Sequence, residues 1–419
     1  MEPHSSAPDV KRAAGWLPDD QDALEAWLSG HKERVENRGD RELHPAVAEL
    51  GALIDGDPVL RMYAERMITE VPRGRAYRQR HLESVPQLLA MIDEVLRVAP
   101  EFGDQNITLP LAAILEWTTA TAAGFAFYRD PRVNAALKKV LTAWCDFLSS
   151  PESLYVLNDS DTGWTSEAAQ RAMGIEQYEH DPADPHWGFT SWNDFFTRRF
   201  REGARPVADP EDDAVIVSAC ESTPYSIKTG VQRRDRFWLK SQPYSLEEML
   251  AGDESVDAFV GGTVYQAFLS ATDYHRWHSP VAGTVERAFV RDGTYFSEAD
   301  AEGSAATDPT NSQGYITHVA TRAVFIIRAD DPAIGLVAFV PVGMVEVSSC
   351  LIAPGITPGR HVDKGEELGH FQFGGSTHCL VLGPDVVQDF DLGAVPQPQD
   401  PHLVRVRSRL ARARSRGAV

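Results

Sequence analysis

The apolar residues of this chain change their spacing part-way along, and that change limits the folds open to it. Val85, Leu88, Leu89, Ile92 and Leu96 recur at helical spacing, as do Val133, Leu137, Val140, Leu141, Trp144 and Leu148. Pro131 fits the first turn of the second run, where its missing N–H costs nothing. The stretch from Leu111 to Phe127 is apolar without a clean face, as in a buried helix. From about Asp213 onward the runs are short: AVIVSA, GTVYQAFLSA, AVFIIRA, GLVAFVPVGMVEV and THCLVLG, punctuated by Gly, Pro and Asp. No long helices alternate with them, which argues against a parallel doubly wound sheet. The pattern predicts an α+β chain. A helical N-terminal domain (1–150), serving as a lid or in substrate selection, leads through a connecting segment with a helix (151–204) into a mostly antiparallel β domain (205–392) and a basic tail (393–419). Two helix starts are expected where a Ser precedes an acid by three residues, at Ser191–Asp194 and Ser245–Glu248.

Composition narrows the function classes. A formal net charge of −21 argues against nucleic acid as a partner and against docking on anionic lipid. The exception is HLVRVRSRLARARSRGAV at the C-terminus, with Arg405, Arg407, Arg409, Arg412, Arg414 and Arg416. It reads either as a solvated, frayed end or as a clamp on the acidic body or on an anionic surface. No apolar stretch approaches the roughly 20 residues that span a bilayer, and the first residues lack the apolar core of a secretory signal. The four cysteines form no C-x-x-C pair, which fits a reducing compartment, so a cytoplasmic location is expected.

Three segments carry candidate chemistry. In KGEELGHFQFGGSTHCLVLG, two glycines followed by Ser376 and Thr377 sit between apolar runs. This is good turn chemistry. It is also a place where Gly374 and Gly375 can adopt φ > 0 and open the Gly375 carbonyl to the Ser376 hydroxyl. In DYHRWHSPVAG, His275 and His278 stand three apart. They lack the Cys or carboxylate of a known metal spacing, so no metal is expected. Either imidazole suits the role of base for a serine. In VSACES, Glu221 ends an apolar run, where it could orient an imidazole or form an ordinary salt bridge.

Together and in this order the segments resemble the phosphatidylserine decarboxylases and their soluble amino-acid-decarboxylating relatives of the tryptophan type. The resemblance runs from about Trp187 to Leu382, through SWNDFFTRRFREGARPV, DYHRWHSPVAGTV, FVPVGMVEVSS and VDKGEELGHFQFGGST. It implies a proenzyme, or zymogen, that cuts itself between Gly375 and Ser376 and turns Ser376 into a covalent pyruvoyl cofactor. It further implies His278 as the base for autocleavage and His275 as a helper in decarboxylation. Glu221 takes the place of the family's Asp; it is one methylene, about 1.5 Å, longer. The family's Asn-Glu-Arg stretch reads Ala320-Thr321-Arg322 here, so only the Arg is kept.

The resemblance points to loss of CO2 from a free L-amino acid, aromatic such as tryptophan, through a Schiff base to the pyruvoyl group. The two chains left by cleavage stay associated, and a homo-oligomer is left open. Three other readings stand beside this one. The substrate could be phosphatidylserine itself. The chain could be an unprocessed relative that only binds a ligand. It could also be a lipoyl- or biotinyl-type carrier built on Lys364, although that residue falls in a segment that is a turn in those folds.

Overall fold

The computed structural model describes residues 20–39, 41–70, 81–103, 108–119, 121–235, 244–298, 312–346, 349–374, 376–397 and 400–415; Gly375 and Arg416 lie outside them. Among the described residues seven helices precede residue 150: α1 (Gln21–Arg38), α2 (Pro45–Gly56), α3 (Pro58–Thr69), α4 (Val85–Val95), α5 (Pro110–Thr119), α6 (Ala122–Phe127) and α7 (Pro131–Leu148). The helical periodicity holds. Val133, Leu137, Val140, Leu141, Trp144 and Leu148 of α7 are all buried, and Asp130 caps the helix ahead of Pro131. The apolar Leu111–Phe127 stretch divides into two helices, because the Thr121 side chain accepts the Gly124 N–H and starts α6 afresh. The connection holds one short helix, α8 (Glu167–Met173), and 3₁₀ turns. At α9 (Trp192–Phe196) Ser191 caps the N–H of Asp194, while Asp194 reaches back to Thr190. The second expected cap is not made. Ser245 precedes α10 (Leu246–Met249) but spends its hydroxyl on the Asp235 N–H instead.

The β region has thirteen strands among the described residues: β1 (Val215–Val217), β2 (Thr223–Thr229), β3 (Thr263–Leu269), β4 (Arg276–His278), β5 (Gly283–Arg291), β6 (Arg322–Ala329), β7 (Leu336–Gly343), β8 (Cys350–Ile352), β9 (His361–Val362), β10 (Glu367–Phe371), β11 (Ser376–Leu382), β12 (Val387–Phe390) and β13 (Arg409–Ala413), with α11 (Gln313–Val319) before β6. They form a seven-stranded sheet in the order β2-β3-β11-β7-β6-β5-β9 and two three-stranded sheets, β4-β10-β8 and β1-β13-β12. Every ladder is antiparallel. Pro341 falls within β7, where a proline would normally break a central strand. The β6–β7 register steps from Arg322↔Val342 to Phe325↔Phe339, so the missing N–H falls in the gap.

Side chains alternate across a strand, and β11 uses both faces. Cys379 and Val381 join an apolar cluster with Val264, Phe268, Ala338 and Val340 that continues into α2–α7. Leu380 and Leu382 join a second cluster with Tyr265, Ala267, Phe339, Trp277, Phe371, Ile216 and Leu410, which links the large sheet to the two small ones. The helices and the large sheet are tied by polar contacts as well. Glu346, just past β7, accepts the N–H groups of Leu111 and Ala112 at the first turn of α5.

Among the described residues the C-terminal segment is built into a sheet: β13 is its central strand, with Leu410, Ala411 and Ala413 buried. Arg412 pairs with Asp212 at 2.8 Å and Arg409 with Asp389 at 3.4 Å, so the basic residues clamp the acidic body. Among the described residues no helix is long and apolar enough to cross a membrane. Leu410→Ala should therefore cost about 2–5 kcal/mol of stability, measured as a lower urea midpoint. Arg412→Ala, whose ion pair is about one-third exposed, should cost about 1 kcal/mol or less. A solvated end would lose nothing in either variant.

Candidate functional site

Ser376 opens β11 between Leu269 of β3 and Gly343 of β7. It is fully buried, and its Oγ has no hydrogen-bond partner. Gly374, two residues before it, has φ 134°, a conformation that L side chains rarely adopt. The approach to this point is pinned on the helical side. The Gln372 N–H donates to the Ser349 carbonyl at 3.1 Å, and the Cys145 thiol donates to Gln372 Oε1 at 3.0 Å. Phe373 packs edge-on against Trp144, Trp192 and Phe196, with ring centroids 5.1, 5.8 and 5.2 Å apart.

His275 sits beside this aromatic group. Its ring stacks on Phe196 at 3.9 Å between centroids, and its carbonyl accepts the N–H of Phe371. Neither ring nitrogen has a partner. Burial, assisted by the Arg198 charge, holds its pKa well below the ordinary histidine range, so the ring is neutral.

His278 lies on β4 with both nitrogens engaged. Nδ1–H donates to the Gly365 carbonyl at 2.9 Å, and Nε2 accepts the Tyr274 hydroxyl at 3.0 Å. Burial and then Arg407 push its pKa down to about 3. Trp277, between the two histidines, packs on Phe371. Gly369 of β10 makes that possible, because a Cβ there would overlap the Trp277 ring and the Leu351 carbonyl.

Glu221 is buried near β4, since the His278 N–H donates to the Ala219 carbonyl, yet its carboxylate turns elsewhere. Arg205 grips it with Nη2 on Oε1 at 2.6 Å and Nε on Oε2 at 3.1 Å, and the Val406 N–H donates to Oε2 at 2.7 Å. The expected Glu221–His278 hydrogen bond is not among those of the described residues. The ordinary salt bridge that the sequence left open is the one formed.

Arg322 is also buried, and it donates to the carbonyls of Met249, Ala320 and Glu248. Lys364 donates to the carbonyls of Asp209 and Asp212, so it is not the free lysine that a carrier hairpin presents.

One residue of the site escaped the sequence reading. His378 follows Ser376 by two positions on β11, is buried, and meets the Ser222 Oγ through Nε2 at 2.9 Å. Its Nδ1 has no partner, and burial lowers its pKa to about 3. The signal was there: in a strand, residues two apart share a face.

The site therefore has the parts that a residue-derived carbonyl cofactor needs. A buried serine with an idle hydroxyl lies two residues past a glycine at positive φ, and the buried His275 and His378 each have a ring nitrogen without a partner. Comparison with known proteins agrees. The family model for phosphatidylserine decarboxylase matches residues 192–400, and a second model of the same description matches residues 44–173, so the likeness extends into the helical half. Decarboxylase iboD of Amanita muscaria is 37% identical over 346 residues, which cover 78% of this chain and 93% of that protein. The L-tryptophan decarboxylase of Psilocybe cubensis is 33% identical over 412 residues, 90% of each chain. Phosphatidylserine decarboxylase proenzyme 2 of Oryza sativa is 33% identical over 318 residues, 75% of this chain and 46% of that one. With two family models covering both halves and relatives matched along nearly their whole length, the chain belongs to the phosphatidylserine decarboxylase family, in the branch that includes the fungal L-tryptophan decarboxylases.

Proposed function

We propose that this protein is a decarboxylase of a free aromatic L-amino acid, such as tryptophan, and that it makes its own pyruvoyl group by cutting between residues 375 and 376. The observation that carries the reading is the buried, unpartnered Ser376 hydroxyl two residues beyond Gly374, which has a positive φ. A buried hydroxyl ordinarily finds a partner, and one left idle beside a bent backbone is set up for reaction rather than for stability. Once formed, the pyruvoyl ketone would supply the electron sink for loss of CO2.

The chain's own residues would supply the rest. Trp144, Trp192, Phe196 and Phe373 give an aromatic wall that suits an aromatic side chain and excludes water. His275, neutral and unpartnered on that wall, is placed to hand a proton to the α-carbon. Substrate preference is supported by the names of the relatives as well as by this wall. The lipid reading is weakened, because Arg409 and Arg412 are held in ion pairs and Arg407 and Arg414 donate to backbone carbonyls.

Intact-mass analysis tests the processing step. Wild type should appear as two chains, the smaller blocked at residue 376, and Ser376→Ala should remain one 46.2 kDa species without activity. A fully active uncut wild type would refute the pyruvoyl mechanism. An amino-acid panel then reads the substrate, with aromatic amino acids decarboxylated in preference to others.

His275→Ala should still cut itself, with kcat reduced roughly 10²–10⁴-fold. An unimpaired kcat removes His275 from proton transfer.

Glu221→Gln tests the salt bridge against the triad. Loss of one member of a buried ion pair costs about 3–5 kcal/mol, so this variant should melt earlier. If Glu221 acts only through Arg205 and Val406, the folded fraction cuts at the wild-type rate. Slow cutting by fully folded protein would restore Glu221 as the acid behind His278.

A further inference from the structure

On the reading that the chain cuts itself, we infer that Asn193 of α9 and Cys145 of α7 are positioning residues for the cut, which hold Gln372 and Phe373 so that the peptide between residues 375 and 376 meets the Ser376 hydroxyl. The inference starts from where the strands stop. β10 ends at Phe371 and β11 opens at Ser376, in two different sheets. The residues between them leave one ladder before the next begins. They include Gly374 and Gly375, and glycine is the residue that loses most freedom when it is ordered. A link of this kind does not hold its own shape, so whatever fixes its start decides how well hydroxyl and peptide are aligned.

The hold comes from the helical layer, and each helix supplies it with two consecutive residues. On α7, Trp144 packs edge-on against the Phe373 ring, and the Cys145 thiol donates to Gln372 Oε1 at 3.0 Å. On α9, Trp192 packs against the same ring, and the buried Asn193 accepts the Phe373 N–H through Oδ1 at 3.4 Å. The Asn193 amide is itself locked. Its Nδ2 donates to Ser149 Oγ at 2.8 Å and to the Cys145 carbonyl at 3.2 Å, and lies 3.3 Å from the Cys145 sulfur. A backbone carbonyl only accepts and a backbone N–H only donates, so one amide orientation serves both ends, with the oxygen toward Phe373. Burial pushes the Cys145 thiol up, so it keeps the hydrogen that Gln372 receives.

Packing alone does not account for this arrangement. The aromatic contacts of Phe373 need neither hydrogen bond. The Gln372 N–H is already taken by the Ser349 carbonyl, so with Cys145 and Asn193 the two residues are fixed at backbone and side chain together. That sets direction as well as place, and direction is what attack on a carbonyl demands: a displacement of about 1 Å can cost roughly 10²-fold in rate. The helical layer thereby gains a task in maturation, distinct from covering the substrate.

The test follows the cutting half-time of newly synthesised full-length chain in a cell-free reaction, by gel and intact mass, and counts only folded protein. Asn193→Ala should cut roughly 10²-fold more slowly than wild type. Cys145→Ala should cut about three- to tenfold more slowly, the loss of one hydrogen bond, and Cys145→Ser, whose hydroxyl can still donate to Gln372, should recover most of the rate. Gln372→Met removes the acceptor of the same bond, so Cys145→Ala with Gln372→Met should be no slower than the slower single variant. These arms stand even if Asn193→Ala folds poorly. Folded Asn193→Ala that cuts as fast as wild type, Cys145→Ser as slow as Cys145→Ala, or a double variant whose two losses multiply would each overturn the assignment. Wild type that never cuts would instead overturn the self-cleavage reading on which it rests.

Discussion

Burial of β11 on both faces is the constraint on which the rest of the structure depends. A strand with one wet face can tolerate polar side chains on that side. Here Thr377, Cys379 and Val381 look toward the helices, while Ser376, His378, Leu380 and Leu382 look toward the small sheets. Polar groups on such a strand have no water to turn to. They must be satisfied by protein, as Thr377 is by the Ala267 carbonyl, or be left unsatisfied at a cost that stability alone would not select. Ser376 Oγ and His378 Nδ1 are both unsatisfied on one face of this fully buried strand. The helical layer contributes to the same enclosure through Phe373 and Trp144, so its packing and the site cannot be separated.

The ion pair of Arg205 with Glu221 shows how a position can be kept while its work changes. The carboxylate stands near the backbone of β4, as the family pattern implies, but its oxygens hold a guanidinium and the N–H of Val406. Arg205 in turn stacks on Phe200, with its guanidinium carbon 4.2 Å from the ring centroid. Two buried charges of opposite sign, both hydrogen-bonded, form a closed unit, and separating them to free the carboxylate for His278 would strand the guanidinium. The extra methylene of Glu relative to Asp lengthens the reach of the carboxylate, which is compatible with the contact to Val406.

Much of the architecture was legible because it rests on periodicity. The α7 stripe declares itself at helical spacing and the strands as short apolar runs between turn residues, and the antiparallel character followed from the lack of long intervening helices. What was not legible depended on partners distant in the chain. Nothing local to Glu221 announces Arg205 or Val406, the latter 185 residues away. Ser245 looked like a cap until Asp235 claimed its hydroxyl. The C-terminal arginines drew attention as charge, yet the apolar residues Leu410, Ala411 and Ala413 set among them are what β13 buries. His378 was hidden by its own motif, since a hydroxyl after two glycines draws the eye away from the residue two places on.

The segment from Ser376 to the C-terminus is short, yet it supplies the central strand of one sheet, β13, and an interior strand of another, β11, hydrogen-bonded on both sides to β3 and β7. If the backbone is severed ahead of it, the two pieces remain interlocked like a key left in its lock. Releasing the small piece means opening three ladders, β11 with β3, β11 with β7 and β13 with β1, and uncovering both apolar clusters, so dissociation and global unfolding become one event. Dilution alone would then not part them.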